Sequence, residues 1–325
     1  MTGRSDPENA GSGEFSFIAR HFRPLAGPEA LDLRDDCALM RCPVGEEFAI
    51  STDTMVENVH FLPDDPPETL GRKLLRCNLS DLAAMGARPH AYTLNVTVPR
   101  GGRHNESWFT AFSHGLAEDQ RHYGVHLIGG DTTSISGPLV LSATVFGLLK
   151  QNTALRRNTA RAGDDIWVTG TIGDAALGLL VLQGRLRDPS GFLATRYRLP
   201  QPRTGLNLHG IVNAAMDISD GLIQDCGHIA TESGVQLVIE SEAVPASEAA
   251  ASLGQDWLMQ RLCGGDDYEL LLTCPPERSR ALQSACQDAG IAVHRIGRVQ
   301  TGRGVRLLDA TGADIVLEQG GWQHF

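Results

Sequence analysis

At 325 residues, 42% hydrophobic and 21% charged, the chain is long enough for an ample core and for two domains, since single cores stop growing at about 250 to 300 residues. Its formal charge of -11 excludes binding of nucleic acid or anionic membrane by bulk electrostatics, so any phosphate ligand must be received by a local device. Seven scattered cysteines form no CxxC pair, no apolar run approaches the ~20 residues that cross a bilayer, and the start has no signal-peptide character, which together point to a cytoplasmic protein without a disulfide framework or zinc site.

Residues 1–12 read as a mobile tail, 13–150 as a first domain and 151–325 as a second. In the first domain, Phe15, Ile18 and Phe22 recur at helical spacing until Pro24. Short apolar runs at 37–40 and 48–51 read as strands. The stretch 68–87 is a long helix that sets Asn78 and Asp81 one turn apart on one face. Tyr92 to Val98 alternates as a strand, and Asn105 can cap a helix carrying Trp108, Phe109, Phe112 and Leu116. A short strand at 125–128 ends in Gly129-Gly130-Asp131, and 138–149 is a long strand. Polar residues 151–165 mark the boundary. Beyond it come strand IWVTG, helix TIGDAALGLL, strand NAAMDIS, helix GLIQDCGHIATES, strand VQLVIE, a helix leading to RLCGG, strand YELLLTC, helix ERSRALQSACQDAG and strand HRIGRV. That order predicts an α+β protein of two lobes, each a sheet covered by helices.

Acids recur beside the ends of these strands or on a helix face beside an Asn: Asp36, Asp53, Asp81, Asp131, Asp217 and Asp220. Several carboxylates gathered at one place repel strongly, and a divalent cation relieves that repulsion. Magnesium prefers such hard oxygen ligands and is shared with nucleotide phosphates, whereas the lack of His or Cys partners disfavours zinc. Gly129 and Gly130, and Gly221 after Asp220, leave backbone amides open to phosphate oxygens. Any one Asp beside Gly or Ser is more often a turn or a helix cap, and Asp174 is assigned as a cap. Arg72 and Lys73 read as solvated helix charges, and His60 alone as a packed or hydrogen-bonded histidine. There is no P-loop, no GxGxxG and no kinase-type catalytic loop.

Taken together, GEFSFIARHF, the acid pair at 35–36, STDTMVENVHF, NLSDLAAMGARP, LIGGDTT, VTGTIGDAALGL, MDISDGLIQDCGHIA, GGDDYELL and the terminal GWQHF resemble, in order and spacing, the thiamine-monophosphate kinase family, within the superfamily that includes aminoimidazole ribonucleotide synthetase. The resemblance implies a two-lobed α+β fold whose N-terminal sheet joins a partner's into a barrel across a homodimer interface, followed by a C-terminal α/β lobe. It implies ATP-dependent phosphorylation of thiamine monophosphate to thiamine diphosphate. By the same resemblance Asp36, Ser51, Thr52, Asp53, Asp81, Asp131, Asp217 and Asp220 are the magnesium site. Asp36, Gly130, Asp131, Arg157 and Ser219 contact ATP, with Asp131, Arg157 and Asp220 the catalytic set, while His60, Asp266 and Trp322 face thiamine phosphate. Two positions depart from the family pattern: Arg34 replaces the Gly usual before the acid pair, and Cys263 stands where Ser is common. The alternatives are another ATP-dependent superfamily enzyme, such as a selenophosphate synthetase or hydrogenase-maturation dehydratase, and a non-catalytic nucleotide or thiamine-phosphate binding protein. The first kind would carry a reactive Cys and Lys near the N-terminus, or a C-terminal Cys, and this chain has neither.

Overall fold

In the computed structural model, which describes residues 14–317 and Gly321, the apolar periodicities become two separate sheets, each with its own helices. Two compact units result. The first holds the described residues up to Pro43 together with Ile50–Asn78 and Pro89–Phe146, and the second holds Val44–Ala49, Leu79–Arg88 and the described residues from Gly147 onward.

The first sheet contains β1 (Glu46–Val56), β2 (Arg88–Pro99), β3 (His126–Ile135) and β4 (Val140–Lys150), in the order β1-β4-β2-β3. β2 and β3 run parallel, as their connection through a helix requires, with Leu94 opposite Gly130 and Asn95 opposite Asp131. Helices α1 (Glu14–His21), α2 (Pro67–Ala84) and α3 (Glu106–Tyr123) accompany it. Asn105 caps α3 as its sequence position predicts, its side chain accepting from Trp108 N at 3.1 Å. α2 and α3 meet backbone to backbone, because a Cβ on Gly71 would stand 2.5 Å from Phe112 O and one on Gly115 only 2.0 Å from Glu68 O. Their contact also encloses Asp119, whose carboxylate accepts from Arg76 Nε at 2.5 Å, Arg76 Nη2 at 2.9 Å and Arg72 Nε at 3.1 Å.

The second sheet contains β5 (Asp165–Thr169), β6 (Ala214–Asp217), β7 (Gln236–Glu240), β8 (Leu270–Cys274), β9 (Val293–Gln300) and β10 (Gly304–Leu308), in the order β10-β7-β9-β5-β8-β6. Only β7 and β10 pair in parallel; the other neighbours are antiparallel. Every residue of β5, β6 and β8 is buried, so these strands read as unbroken apolar runs rather than alternating ones. Alternation still decides the face: Ile166, Val168 and Met216 enter one core with Leu222, Ile229 and Leu271, while Trp167, Ala215 and Leu272 enter the other with Leu282 and Cys286. α6 (Leu222–Ser233) therefore covers one face and α9 (Ser279–Asp288) the opposite one. α4 (Asp174–Leu182), α5 (Phe192–Arg198), α7 (Glu248–Ala251) and α8 (Leu258–Cys263) complete the unit.

Several expectations change. Residues 37–40 form no strand: Leu31, Asp32 and Leu33 hold left-handed φ values of 50°, 58° and 54°, the chain turns, and Leu39 N donates to Glu29 O instead of entering a ladder. Lys73 is buried rather than solvated, and Arg72 pairs with Glu118 and Asp119. α5, α7 and β10 had no distinct signal in the sequence. Among the described residues no helix is long and apolar enough to cross a membrane.

Removing Asp119 takes from the buried Arg76 its bidentate carboxylate partner at the α2–α3 contact and leaves Arg72 with Glu118. Asp119→Ala is expected to cost about 3 to 5 kcal/mol in chemical denaturation, and a midpoint unchanged from the parent protein would contradict the pairing as the clasp between these helices.

Candidate active site

Within the first unit, the turn at 34–37 and the middle of β3 face each other across a cavity of about 210 Å³. Asp35, Asp36 and Cys37 line it from one side and Gly129, Gly130, Asp131 and Thr132 from the other, over an apolar wall that includes Phe22, Leu33, Leu94 and Leu127. The structure thus brings Asp36, Gly130 and Asp131 together from distant parts of the chain. Asp36 and Asp131 are exposed to solvent there. Asp131 does not follow a strand end, as its sequence context predicts; β3 continues to Ile135, and the acid projects from mid-strand. The two glycines differ in reason. A side chain on Gly129 would meet only Thr93 Cγ2 at 3.9 Å, whereas one on Gly130 would lie 1.8 Å from Leu94 O. Close pairing to β2 accounts for Gly130 before any phosphate is considered.

Ser51, Thr52 and Asp53 also lie inside a strand, β1, rather than at its end. Asn78 on α2 is fully buried and pins that strand: its Oδ1 accepts from Asp53 N at 3.0 Å, and its Nδ2 donates to Leu74 O at 2.9 Å. Thr52 Oγ1 donates to Ala143 O at 3.0 Å on β4. Asp81, one turn beyond Asn78 on α2, is half-buried. His60 closes a tight turn, its Nδ1 accepting from Val56 N at 3.0 Å, which sets the ring's tautomer with the proton on Nε2.

In the second unit, β6 ends at Asp217 and runs through Ile218-Ser219-Asp220-Gly221 into α6. The end of α8 and the loop 264–269 pack against this turn through backbone. A Cβ on Gly221 would be 2.7 Å from Cys263 O and one on Gly265 would be 2.3 Å from Ser219 O. Asp266 N donates to Ser219 O and Tyr268 N to Ile218 O, both at 2.8 Å. Asp266 and Tyr268 both take positive φ, 73° and 52°, conformations that non-glycine residues adopt only where the surroundings enforce them.

The amides of this turn are not open to phosphate, contrary to the sequence expectation. Oδ2 of the buried Asp225, one turn into α6, accepts from Ser219 N at 3.1 Å and from Asp220 N and Gly221 N at 3.2 Å each. Burial, reinforced by the neighbouring Asp220, pushes the Asp225 carboxyl up to about 7. Asp174 is not a side-chain cap either. It opens α4 with no capping bond from its N-cap Gly173, and its own carboxylate accepts from Thr171 and Ser247 hydroxyls. The cap comes from Asp267, which accepts from Gly173 N at 2.6 Å and Ala175 N at 3.4 Å. Glu269, equally buried, binds Arg203 Nε at 2.6 Å, Arg196 Nη2 at 3.0 Å and Thr169 Oγ1 at 2.7 Å. Asp225, Asp267 and Glu269 are the residues that sequence reasoning missed. For Asp225 a signal was present, since it shares the apolar face of α6 with Leu222, Cys226 and Ile229.

Arg157 is exposed in the irregular segment after β4, its carbonyl accepting from Ser233 Oγ at 2.9 Å. Trp322 lies outside the described residues. Its neighbour Gly321 has no space for a side chain, because a Cβ there would be 2.7 Å from both Asp220 O and Gln224 Cβ.

Two family models match the chain: AIR synthase related protein, N-terminal domain, over residues 34–149, and AIR synthase related protein, C-terminal domain, over 161–309. Fold and sequence together define a two-domain α+β protein of that type, with mixed sheets. A thiamine-monophosphate kinase of Caulobacter vibrioides is 40% identical over 332 residues, covering 98% of this chain and 92% of the relative. The crystal structure of thiamine-monophosphate kinase from Stenotrophomonas maltophilia K279a matches with a TM-score of 0.80 and 38% identity, over 90% of this chain and 95% of that one. A structure described as AaThiL complexed with AMPPCP and TMP matches with a TM-score of 0.75 and 29% identity, over the full length of both. The chain belongs to the thiamine-monophosphate kinase family.

Because Leu94 O stands where a Gly130 side chain would go, Gly130→Ala is expected to lose about 1 to 3 kcal/mol of stability by overpacking. Thermal unfolding without any nucleotide checks this, and an undisturbed midpoint would show that Gly130 answers to a ligand rather than to β2.

Proposed function

We propose that the protein transfers the γ-phosphoryl group of ATP to thiamine monophosphate, yielding thiamine diphosphate and ADP. The observation that carries this reading is the near-full-length match to enzymes named for that reaction. The cavity that sets Asp36 opposite Asp131 supports it on chemical grounds.

The acceptor is a phosphate monoester whose oxygens are ionised near neutral pH, so the reaction needs no strong general base. What it needs is relief of repulsion between two anions held in line. The oxygen donors around the cavity, Asp35, Asp36, Asp131 and Thr132, fit a hard cation such as magnesium. Asp36, Ser51, Thr52, Asp53, Asp81 and Asp131, with Asp217 and Asp220, are the proposed ligands. Magnesium, when bound, neutralises phosphate charge. Arg157 adds a fixed cation toward ATP, and Ser219 and Gly130 supply further ATP contacts. His60, Asp266 and Trp322 take the thiamine-phosphate side, where an indole face can hold the cationic thiazolium for roughly 0.5 to 2 kcal/mol. The enforced left-handed conformation of Asp266 supports a functional placement of its carboxylate. Transfer is direct, with no phosphoenzyme.

The proposed assembly is a cytoplasmic homodimer in which β1 and β3, the edge strands of the first sheet, meet a partner's to close a barrel. Ile50 on β1, 62% exposed, and Ile135 on β3, 40% exposed, supply apolar surface along those edges.

Incubation of the magnesium-replete protein with ATP and thiamine monophosphate is expected to give ADP and thiamine diphosphate in equal amounts; ATP loss without thiamine diphosphate, or no turnover by the folded protein, would refute the assignment. Asp131→Asn is expected to lower turnover by at least ~10-fold while leaving the circular dichroism spectrum unchanged, and wild-type kinetics in that variant would remove Asp131 from the site.

A further inference from the structure

We propose that Asp225 is a positioning residue for the Asp217–Asp220 turn, filling from inside the protein an anion-binding nest that would otherwise be offered to phosphate. The inference rests on the reading of Asp217 and Asp220 as magnesium ligands.

Consecutive backbone amides pointing at one spot, placed at the start of a helix, form a site for an anion. Ser219, Asp220 and Gly221 present three such amides at the start of α6, and all three donate to one oxygen, Asp225 Oδ2, at 3.1 to 3.2 Å. The N-cap is Gly221, which has no side chain to do this work. The carbonyls of Ile218 and Ser219 are meanwhile taken by the amides of Tyr268 and Asp266. With its amides held from within and two carbonyls held from the neighbouring loop, the turn is fixed on both sides. Asp217 stays buried at the end of β6, the half-buried Ser219 and Asp220 are the side chains the turn leaves accessible, and Asp220 is further steadied by Gln224 Nε2 at 3.1 Å. The Asp225 carboxyl group also lies at the positive end of α6, which favours a group with acceptor oxygens there. Asp225 thereby makes the turn selective for a cation held by its carboxylates rather than for an anion held by its amides.

Asp220, Asp225 and the exposed His228 bring ligand atoms within 4.8 Å of one another, so direct ligation by Asp225 is the rival arrangement, and His228 separates the two. The test compares the wild type with Asp225→Ala, Asp225→Asn, His228→Ala and, as the check on the underlying reading, Asp220→Asn. Manganese binding is measured by electron paramagnetic resonance, turnover against magnesium concentration, and amide exchange at 219–221 by mass spectrometry. Asp225→Ala is expected to weaken manganese binding and raise the magnesium activation constant by about 10- to 100-fold, with the KM for thiamine monophosphate unchanged and exchange at 219–221 accelerated. Asp225→Asn, which keeps an acceptor oxygen in place, is expected to recover part of both losses, and His228→Ala none of the defect. Wild-type metal response in folded Asp225→Asn and Asp225→Ala overturns the proposal when Asp220→Asn is impaired. Equal weakening in His228→Ala and Asp225→Ala overturns it in favour of direct ligation. If Asp220→Asn itself behaves as wild type, the magnesium reading of the turn falls, and the proposal with it.

Discussion

A carboxylate taken out of water must be answered by donors, and that requirement sorts the acids of this chain into two kinds. Asp119 is answered by two arginines, Glu269 by two arginines and a threonine hydroxyl, Asp267 by the amides that open α4, and Asp225 by three amides in a row. These groups are spent on holding backbone in place. Asp36 and Asp131 are of the other kind: they line a solvent-reachable cavity and are exposed. The proposed cation-assisted site would need both kinds, because a ligand carboxylate is only as well placed as the backbone that carries it.

The supporting framework follows the same economy of position in both units. Asn78 uses its carbonyl oxygen to fix the amide of Asp53 and its amide nitrogen to stay anchored on α2. Asp267 reaches from the loop before β8 to cap α4, whose preceding Gly173 has no room for a side chain because a Cβ there would lie 2.3 Å from Arg261 Cβ. In each case a helix end or a strand is tied by one side chain remote in sequence. Replacing the tie with a local cap would not hold the two segments to each other.

This division explains what was legible in the sequence. Most strand and helix types in the second unit, α5, α7 and β10 apart, were readable because short apolar runs are set off by turns that carry glycine, and the buried β5, β6 and β8 follow that pattern directly. The run at 37–40 misled because four apolar residues establish burial only when a neighbouring strand exists, and Leu39 is 68% exposed. β1 and β3 were read too short since their outer halves face solvent and so carry Asp, Thr and Ser. Of the acid motifs, those at 35–36 and 129–131 meet at one cavity. Yet MDISDGLIQD and GGDDYE do not declare which of their acids face outward, because that depends on the distance from Asp225 to amides four to six residues earlier and on where α4 begins relative to Asp267.

The absence of a P-loop in the sequence takes on a physical meaning in that light. A P-loop offers a phosphate bare amides and a helix start; here the start of α6 is already closed by the carboxyl group of Asp225, and the glycine before it serves packing against Cys263 O. Such a turn no longer offers its amides to a free anion, and it carries the carboxyl groups of Asp217 and Asp220. Under the proposed magnesium reading, polyphosphate would approach it in company with cations, so a dependence on a divalent metal would follow from the backbone's own hydrogen bonding as well as from how many aspartates the chain contains.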